Sequence, residues 1–181
     1  VIGLDYSLPL LKIASEAIPL GKSYPKYIRG DARMLPFREN TFDVILNLFT
    51  SFGYFQDDEN RALLGSIANL LKPGGRFYID YLNPIKVEAE LVPESVRIKD
   101  GIRVEEKRTI NHETRRVEKQ IHLRWDNNSQ TFHESVQLYS EEEMLAMIAD
   151  AGLTTDGVYG SVEREPYGET SPRMILFGIK G

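Results

Sequence analysis

The segment Phe42–Phe49 reads Phe-Asp-Val-Ile-Leu-Asn-Leu-Phe, a near-continuous apolar run. Such a run predicts a strand buried on both faces, as in a parallel sheet covered by helices on either side. The flanking sequence fits that frame. Val1–Asp5 is a short apolar run ending in an acid and reads as a buried strand, and Tyr27–Asp31, after Pro25, reads as another. Between them Ser7 caps a helix with Leu8, Leu11, Ala14 and Ile18 on one face. Beyond the central run, Asp57 and Asp58 mark a helix start, with a stripe of Ala62, Leu63, Ile67, Leu70 and Leu71. Pro73-Gly74-Gly75 stops that helix, and Arg76–Leu82 is the next strand. Strands and helices alternating in this way imply βαβ units.

The periodicity then changes. From Glu94 to Tyr139 it is that of three or four strands and no helix, punctuated by Asp100-Gly101, Asn111–Thr114 and Asp126-Asn127-Asn128. Val117, Ile121, Leu123 and Trp125 point one way, Glu118, Gln120, His122 and Arg124 the other. This predicts a half-buried antiparallel sheet inserted over 94–139. Ser140 and Glu143 then form a capping box for a helix carrying Met144, Leu145, Ile148 and Ala151 and ended by Gly152. Strands near Thr155–Tyr159 and Arg173–Ile179 follow. The loop joining them is too short for a crossover helix, so they should pair antiparallel.

With 181 residues the chain reads as a single domain over 1–181. No apolar run approaches the ~20 residues of a membrane span, and Val1–Asp5 lacks a signal peptide's basic region and cleavage site. The absence of cysteine excludes disulfides and thiolate metal sites and fits a cytoplasmic location. The three histidines, His112, His122 and His133, have no metal-site spacing, and no metal is expected. A net charge of −5 argues against a nucleic-acid partner and for a small molecule. Lys107-Arg108 and Arg115-Arg116 are interleaved with Glu105, Glu106, Glu113 and Glu118, which reads as a solvated charged face.

In open α/β sheets ligands bind beyond the carboxyl ends of the strands. Asp5, Asp31 and Asn47 stand at three successive ends. Each has a plain alternative: a helix cap, Gly-Asp turn chemistry, or a side chain serving loop backbone. Their recurrence in order is the stronger sign. Asp5-Tyr6-Ser7, Gly30-Asp31-Ala32 with Leu35-Pro36-Phe37, Phe42-Asp43-Val44-Ile45 and Leu71-Lys72-Pro73-Gly74-Gly75-Arg76-Phe77 resemble the successive motifs of class I S-adenosylmethionine-dependent methyltransferases. The resemblance implies an α/β fold: a Rossmann-like, mostly parallel sheet with an antiparallel terminal strand pair and the inserted antiparallel sheet. It also implies that the family's first strand and Gly-rich loop are missing, being expected before Val1.

The resemblance further implies that S-adenosyl-L-methionine is the cofactor. Asp5 would hold its ribose hydroxyls, with Tyr6 against the adenine. Asp31 would accept the adenine amino group, and the Ala32 N–H would reach a ring nitrogen. Asn47, Leu48 and Phe49 would pass along the methionine end. The acceptor, a small molecule methylated on N or O, should lie over the strand ends near Tyr54 and Tyr81. Those two are the candidate catalytic residues, with plain wall packing as the alternative for each. The insert is similar to the platform of small-molecule methyltransferases, including those acting on amino sugars, where it covers the acceptor or builds a homodimer. An RNA methyltransferase, an NAD-dependent oxidoreductase and a non-catalytic scaffold of the same fold are the competing readings.

Overall fold

A computed structural model describes residues 1–17 and 25–181. Ile18, expected on the first helix's apolar face, lies outside the described residues. Strand β1 (Ile2–Asp5) leads into helix α1 (Leu8–Glu16), capped by Ser7 as expected, and β2 (Lys26–Arg29) returns parallel to β1. Strand β3 (Phe42–Asn47) is followed by α2 (Asp57–Leu70), β4 (Leu71–Leu82) and α3 (Pro84–Glu90). The insert supplies β5 (Glu94–Lys99), β6 (Ile102–Asn111), β7 (Arg116–Trp125) and β8 (Asn128–Gln137). The chain then runs through α4 (Glu141–Asp150), β9 (Leu153–Tyr159) and β10 (Arg173–Lys180).

Among the described residues the framework forms two sheets. One is the parallel pair β1-β2; the other has the order β3-β4-β10-β9. The expected terminal pair is present: β10 runs antiparallel to β9 and, on its other side, to β4. The expectation of one mostly parallel sheet needs correction, because only β1-β2 and β3-β4 are parallel pairs and no described strand joins β1 to β3. The insert is a four-stranded antiparallel meander, β5-β6-β7-β8, with burial alternating over Val117–Ile121 of β7 and left-handed Asp100 and Gly101 in its first turn.

Several local expectations are also corrected. β3 is covered on one face only: Val44 and Leu46 are 53% and 58% exposed, while Ile45 packs against the core. In α2 the buried stripe includes Leu64 and Ala68, and Ala62 is exposed. The β4 strand begins at Leu71, before Pro73-Gly74-Gly75, and absorbs that turn as a register shift against β3, with Gly74 at φ +75°. The short helix α3 escaped the periodicity, although Asn83 caps it and Pro84 opens it. The Ser140–Glu143 capping box is present, and Met147 joins the buried face of α4.

The core lies where α2 and α4 pack on β4 and β10. Leu64, Phe77, Ile79, Met144, Ile148, Met174 and Leu176 are fully or nearly fully buried there. Val136 and Leu138 extend the same cluster to the insert, so the meander is anchored in the main core.

Candidate functional site

Parallel pairing sets Asp5 opposite Arg29, so Asp31 follows at the neighbouring strand end. The loop after β2 reaches the helix after β3: Arg33 donates to Glu59 at 3.0 Å and stacks over Phe55 at 5.0 Å. The carboxyl ends of β2 and β3 therefore face the same side. β4 runs parallel to β3, which brings Leu82-Asn83 to that side as well.

The sequence candidates have distinct surroundings at these ends. Asp5 is half-buried; its Oδ1 accepts the Ser7 N–H at 2.7 Å, and its Oδ2 has no hydrogen bond among the described residues. Tyr6 is exposed, with the Arg29 guanidinium 5.5 Å from its ring centre. Asp31 is clasped by its near neighbour Arg33, at 2.7 Å and 3.1 Å, and these bonds hold its pKa down at about 2. Ala32 is half-buried and packs against the core.

Beyond β3, Asn47 Oδ1 accepts a hydrogen bond from Ser51 at 3.0 Å, and Leu48 and Phe49 are exposed, Phe49 at 88%. Phe49 and Thr50 both adopt left-handed backbone, at φ +56° and +57°. For a β-branched threonine this conformation is costly, and such strain persists only where neighbours impose it. Here the neighbours are Asp80 and Arg173. Asp80 accepts the Phe49 N–H on Oδ2 and the Thr50 N–H on its carbonyl, at 2.9 and 3.0 Å. Arg173 donates to Asp80 Oδ1 and to Thr50 Oγ1, each at 2.6 Å. The Asn47–Thr50 loop is thus fixed from β4 and β10.

The two tyrosines part company. Tyr54 is 41% exposed, and burial together with Glu134 pushes its pKa up, so its hydroxyl is a neutral donor. Tyr81 is a correction. It has no exposed surface, donates its hydroxyl to the Gln137 carbonyl and packs beside Phe52 and Tyr139, so it joins β4 to β8 and is closed to an acceptor.

Sequence reasoning passed over two groups. Arg116, grouped with a solvated face, reaches across to the backbone carbonyls of Gly53, Tyr54 and Phe55 and fixes the loop that carries Tyr54. Glu106 is the second. It is 4% exposed, not solvated, because Arg97, Arg108 and Lys119 all pair with it. The sequence signal was the acid-base alternation itself, but strand partners 9 to 13 residues away were needed to interpret it.

The fold is an α/β framework with polar residues at successive carboxyl strand ends, an antiparallel closing strand and an antiparallel insert. Residues 1–79 match the family model described as "Methyltransferase domain". The chain is 29% identical to the cypemycin N-terminal methyltransferase of a Streptomyces species, over 97% of this chain and 72% of that protein. Other curated relatives match less than half of this chain, and the match spans about a third of their length. Among solved structures, the chain superposes on an S-adenosylmethionine-dependent methyltransferase from Clostridium acetobutylicum with a TM-score of 0.84. The match has 18% identity and covers 99% of this chain and 74% of that one. The sugar N-methyltransferase KedS8 from a Streptoalloteichus species gives a TM-score of 0.69 at 18% identity, over 99% and 70% of the two chains.

Proposed function

We propose that this chain carries the greater part of a cytoplasmic methyltransferase that transfers the methyl group of S-adenosylmethionine to N or O of a small molecule. The observation that carries the reading is the gathering of the β2, β3 and β4 carboxyl ends on one side, with Asp31, Asn47 and Phe49 there. The residues present fit the cofactor. Asp5 keeps Oδ2 available to a ribose hydroxyl, and the exposed Tyr6, Leu48 and Phe49 offer apolar contact. When bound, the cofactor supplies an activated methyl group for in-line displacement.

The chain's own task is alignment, and holding reactants in an attack geometry contributes ~7–11 kcal/mol in well-oriented systems. The rigid Asn47–Thr50 loop and the Arg116-braced Tyr54 loop serve that task. Tyr54, kept neutral, would donate a hydrogen bond to the acceptor and would not withdraw its proton.

A small acceptor is favoured over RNA because most of the insert's basic side chains are already paired with acids. Arg103 and Arg124 pair with Glu105, Arg115 pairs with Glu143, and three more cations share Glu106. No helix among the described residues is long and apolar enough to cross a membrane. The relative's printed N-terminal methylation favours nitrogen as the atom methylated. Exposed Val96 and Ile98 on edge strand β5 also offer a surface through which two copies would meet.

The test is calorimetric titration of S-adenosylhomocysteine into the full-length protein, beside its Asp5→Ala variant. Loss of a charge-assisted hydrogen bond should weaken binding by ~1–3 kcal/mol. No binding by the unaltered protein would refute the assignment.

A further inference from the structure

A cavity of about 550 Å³ opens between α3 and the first hairpin of the insert. Its floor is Leu82, Asn83, Pro172 and Arg173, and its α3 wall includes Lys86 and Glu90. The facing wall is Ser95, Arg97, Glu106 and Arg108. Four cations and two carboxylates line it, in a chain whose net charge is −5. Lys86 is matched by Glu90 at 3.5 Å and Arg173 by Asp80 at 2.6 Å. The β5-β6 wall differs, because the Arg97 and Arg108 guanidinium groups share the one carboxylate of Glu106.

Glu106 Oε2 already accepts from Ser95 at 3.0 Å, from Arg97 at 2.9 Å and from Arg108, and Oε1 faces Lys119 at 3.3 Å. It has little capacity left for another partner. Arg97 makes one hydrogen bond among the described residues, to Glu106, so most of its five N–H donors are unspent. A planar guanidinium with spare donors, anchored at one nitrogen by a buried carboxylate, is preorganised for the paired oxygens of a carboxylate or phosphate.

The cavity also touches the reaction side of the fold. Arg173 lines it and donates to Thr50 in the strained loop beyond β3. A molecule held here would thus be linked to the Asn47–Thr50 loop through Arg173.

We infer that this cavity is the acceptor's anchoring subsite, and that it takes an oxyanion of the acceptor, a carboxylate or a phosphate, on Arg97 and Arg108, with Glu106 as the residue that positions both. The inference rests on the methyltransferase reading for the word acceptor, but the oxyanion site is testable without it. The unmethylated group would point toward the Asn47–Thr50 loop while the anionic end is held by the insert. A neutral acceptor would leave Arg97 without a partner for its spare donors other than water.

The experiment titrates inorganic phosphate and, separately, acetate into the full-length protein at low salt, following the arginine side-chain Nε–Hε signals by NMR. Arg97→Gln is the test variant. Arg97 is the more exposed of the two arginines, so its replacement should leave the backbone amide spectrum dispersed. Saturable shifts with at least one anion, weakened fivefold or more in Arg97→Gln, are expected. Saturation by phosphate alone assigns a phosphorylated acceptor and by acetate alone a carboxylate. Absence of saturation with both anions, or equal affinity in Arg97→Gln, would overturn the inference. S-adenosylhomocysteine binding, measured in parallel, should be the same in both proteins. Its failure in both would sink the methyltransferase reading and leave the oxyanion site to be judged on its own titration.

Discussion

Replacing Arg116 by methionine should separate the inserted meander from the loop that carries Tyr54. The side chain donates through Nε to Ser135 Oγ at 2.7 Å, and through Nη1 to the Phe55 carbonyl at 3.0 Å and Gln137 Oε1 at 3.2 Å. Nη2 faces the carbonyls of Gly53, Tyr54 and Ser135 at 3.3, 3.0 and 2.8 Å. A hydrogen bond from a charged group contributes ~1.5–3 kcal/mol, but these share three nitrogens and water can reach several of the acceptors. A net loss of ~2–4 kcal/mol is therefore expected, which at ~2–4 °C per kcal/mol lowers Tm by roughly 10 °C. Methionine keeps most of the apolar stem, so the loss reports the fork and not a cavity. Urea unfolding of Arg116→Met is the assay, with Lys72→Met as the control. The Lys72–Asp43 pair lies on the surface and its removal should change nothing measurable. A destabilisation below ~0.5 kcal/mol in Arg116→Met would mean that water satisfies these carbonyls equally well, and the account of the junction would fail.

Two glycines should respond to alanine with opposite signs. At Gly178 a new Cβ would sit 2.0 Å from the Thr154 carbonyl oxygen and 2.7 Å from the Phe77 ring, so a loss of ~3 kcal/mol or more is expected; at Gly65 in α2 nothing lies within 4 Å, and alanine should add ~0.5–1 kcal/mol. Equilibrium unfolding of both variants checks the contrast, which fails if the signs agree. On the acid side, the two hydrogen bonds of Arg115 hold the Glu143 pKa at about 2, against burial; at Glu106 burial pushes the pKa up but Arg97, Ser95 and Lys119 outweigh it, again giving about 2. Both lie below the ordinary 4.5, so their stabilisation is complete above that pH and is lost as pH falls toward 2. Tm should drop across that window and Glu143→Gln should flatten the drop; an unchanged slope would contradict the assignment. For Tyr54, a pKa raised by burial and Glu134 predicts no inflection from this residue in the pH–rate profile through neutrality, and an inflection abolished by Tyr54→Phe would count against it.

What could be read from the chain depended on how local the determining physics is. The Ser140–Glu143 box, the Ser7 cap and the Asp100-Gly101 turn involve residues within three positions of one another, and all are present. The antiparallel terminal pair followed from loop length alone. Tyr81 was offered for chemistry because it ends a strand; its partners Gln137 and Tyr139 lie more than 50 positions away and put it in the core. Arg116 and Glu106 were hidden for the same reason. Charge alternation along a strand does not reveal which member turns inward until the neighbouring strands are known. α3 was missed because seven residues carry too little periodicity.

The position of β10 also has a consequence for synthesis. It lies between β4 and β9, yet it is made after both. The inner edge of β4 therefore waits, unpaired, from Leu82 until Arg173 and its successors emerge, while the meander between them can close hairpin by hairpin with local contacts. An open edge beside apolar Ile79 and Tyr81 is a template for wrong pairing. The nascent chain is thus exposed to aggregation late in translation, and a ribosome stalled just short of Arg173 would hold a finished insert on an unfinished frame.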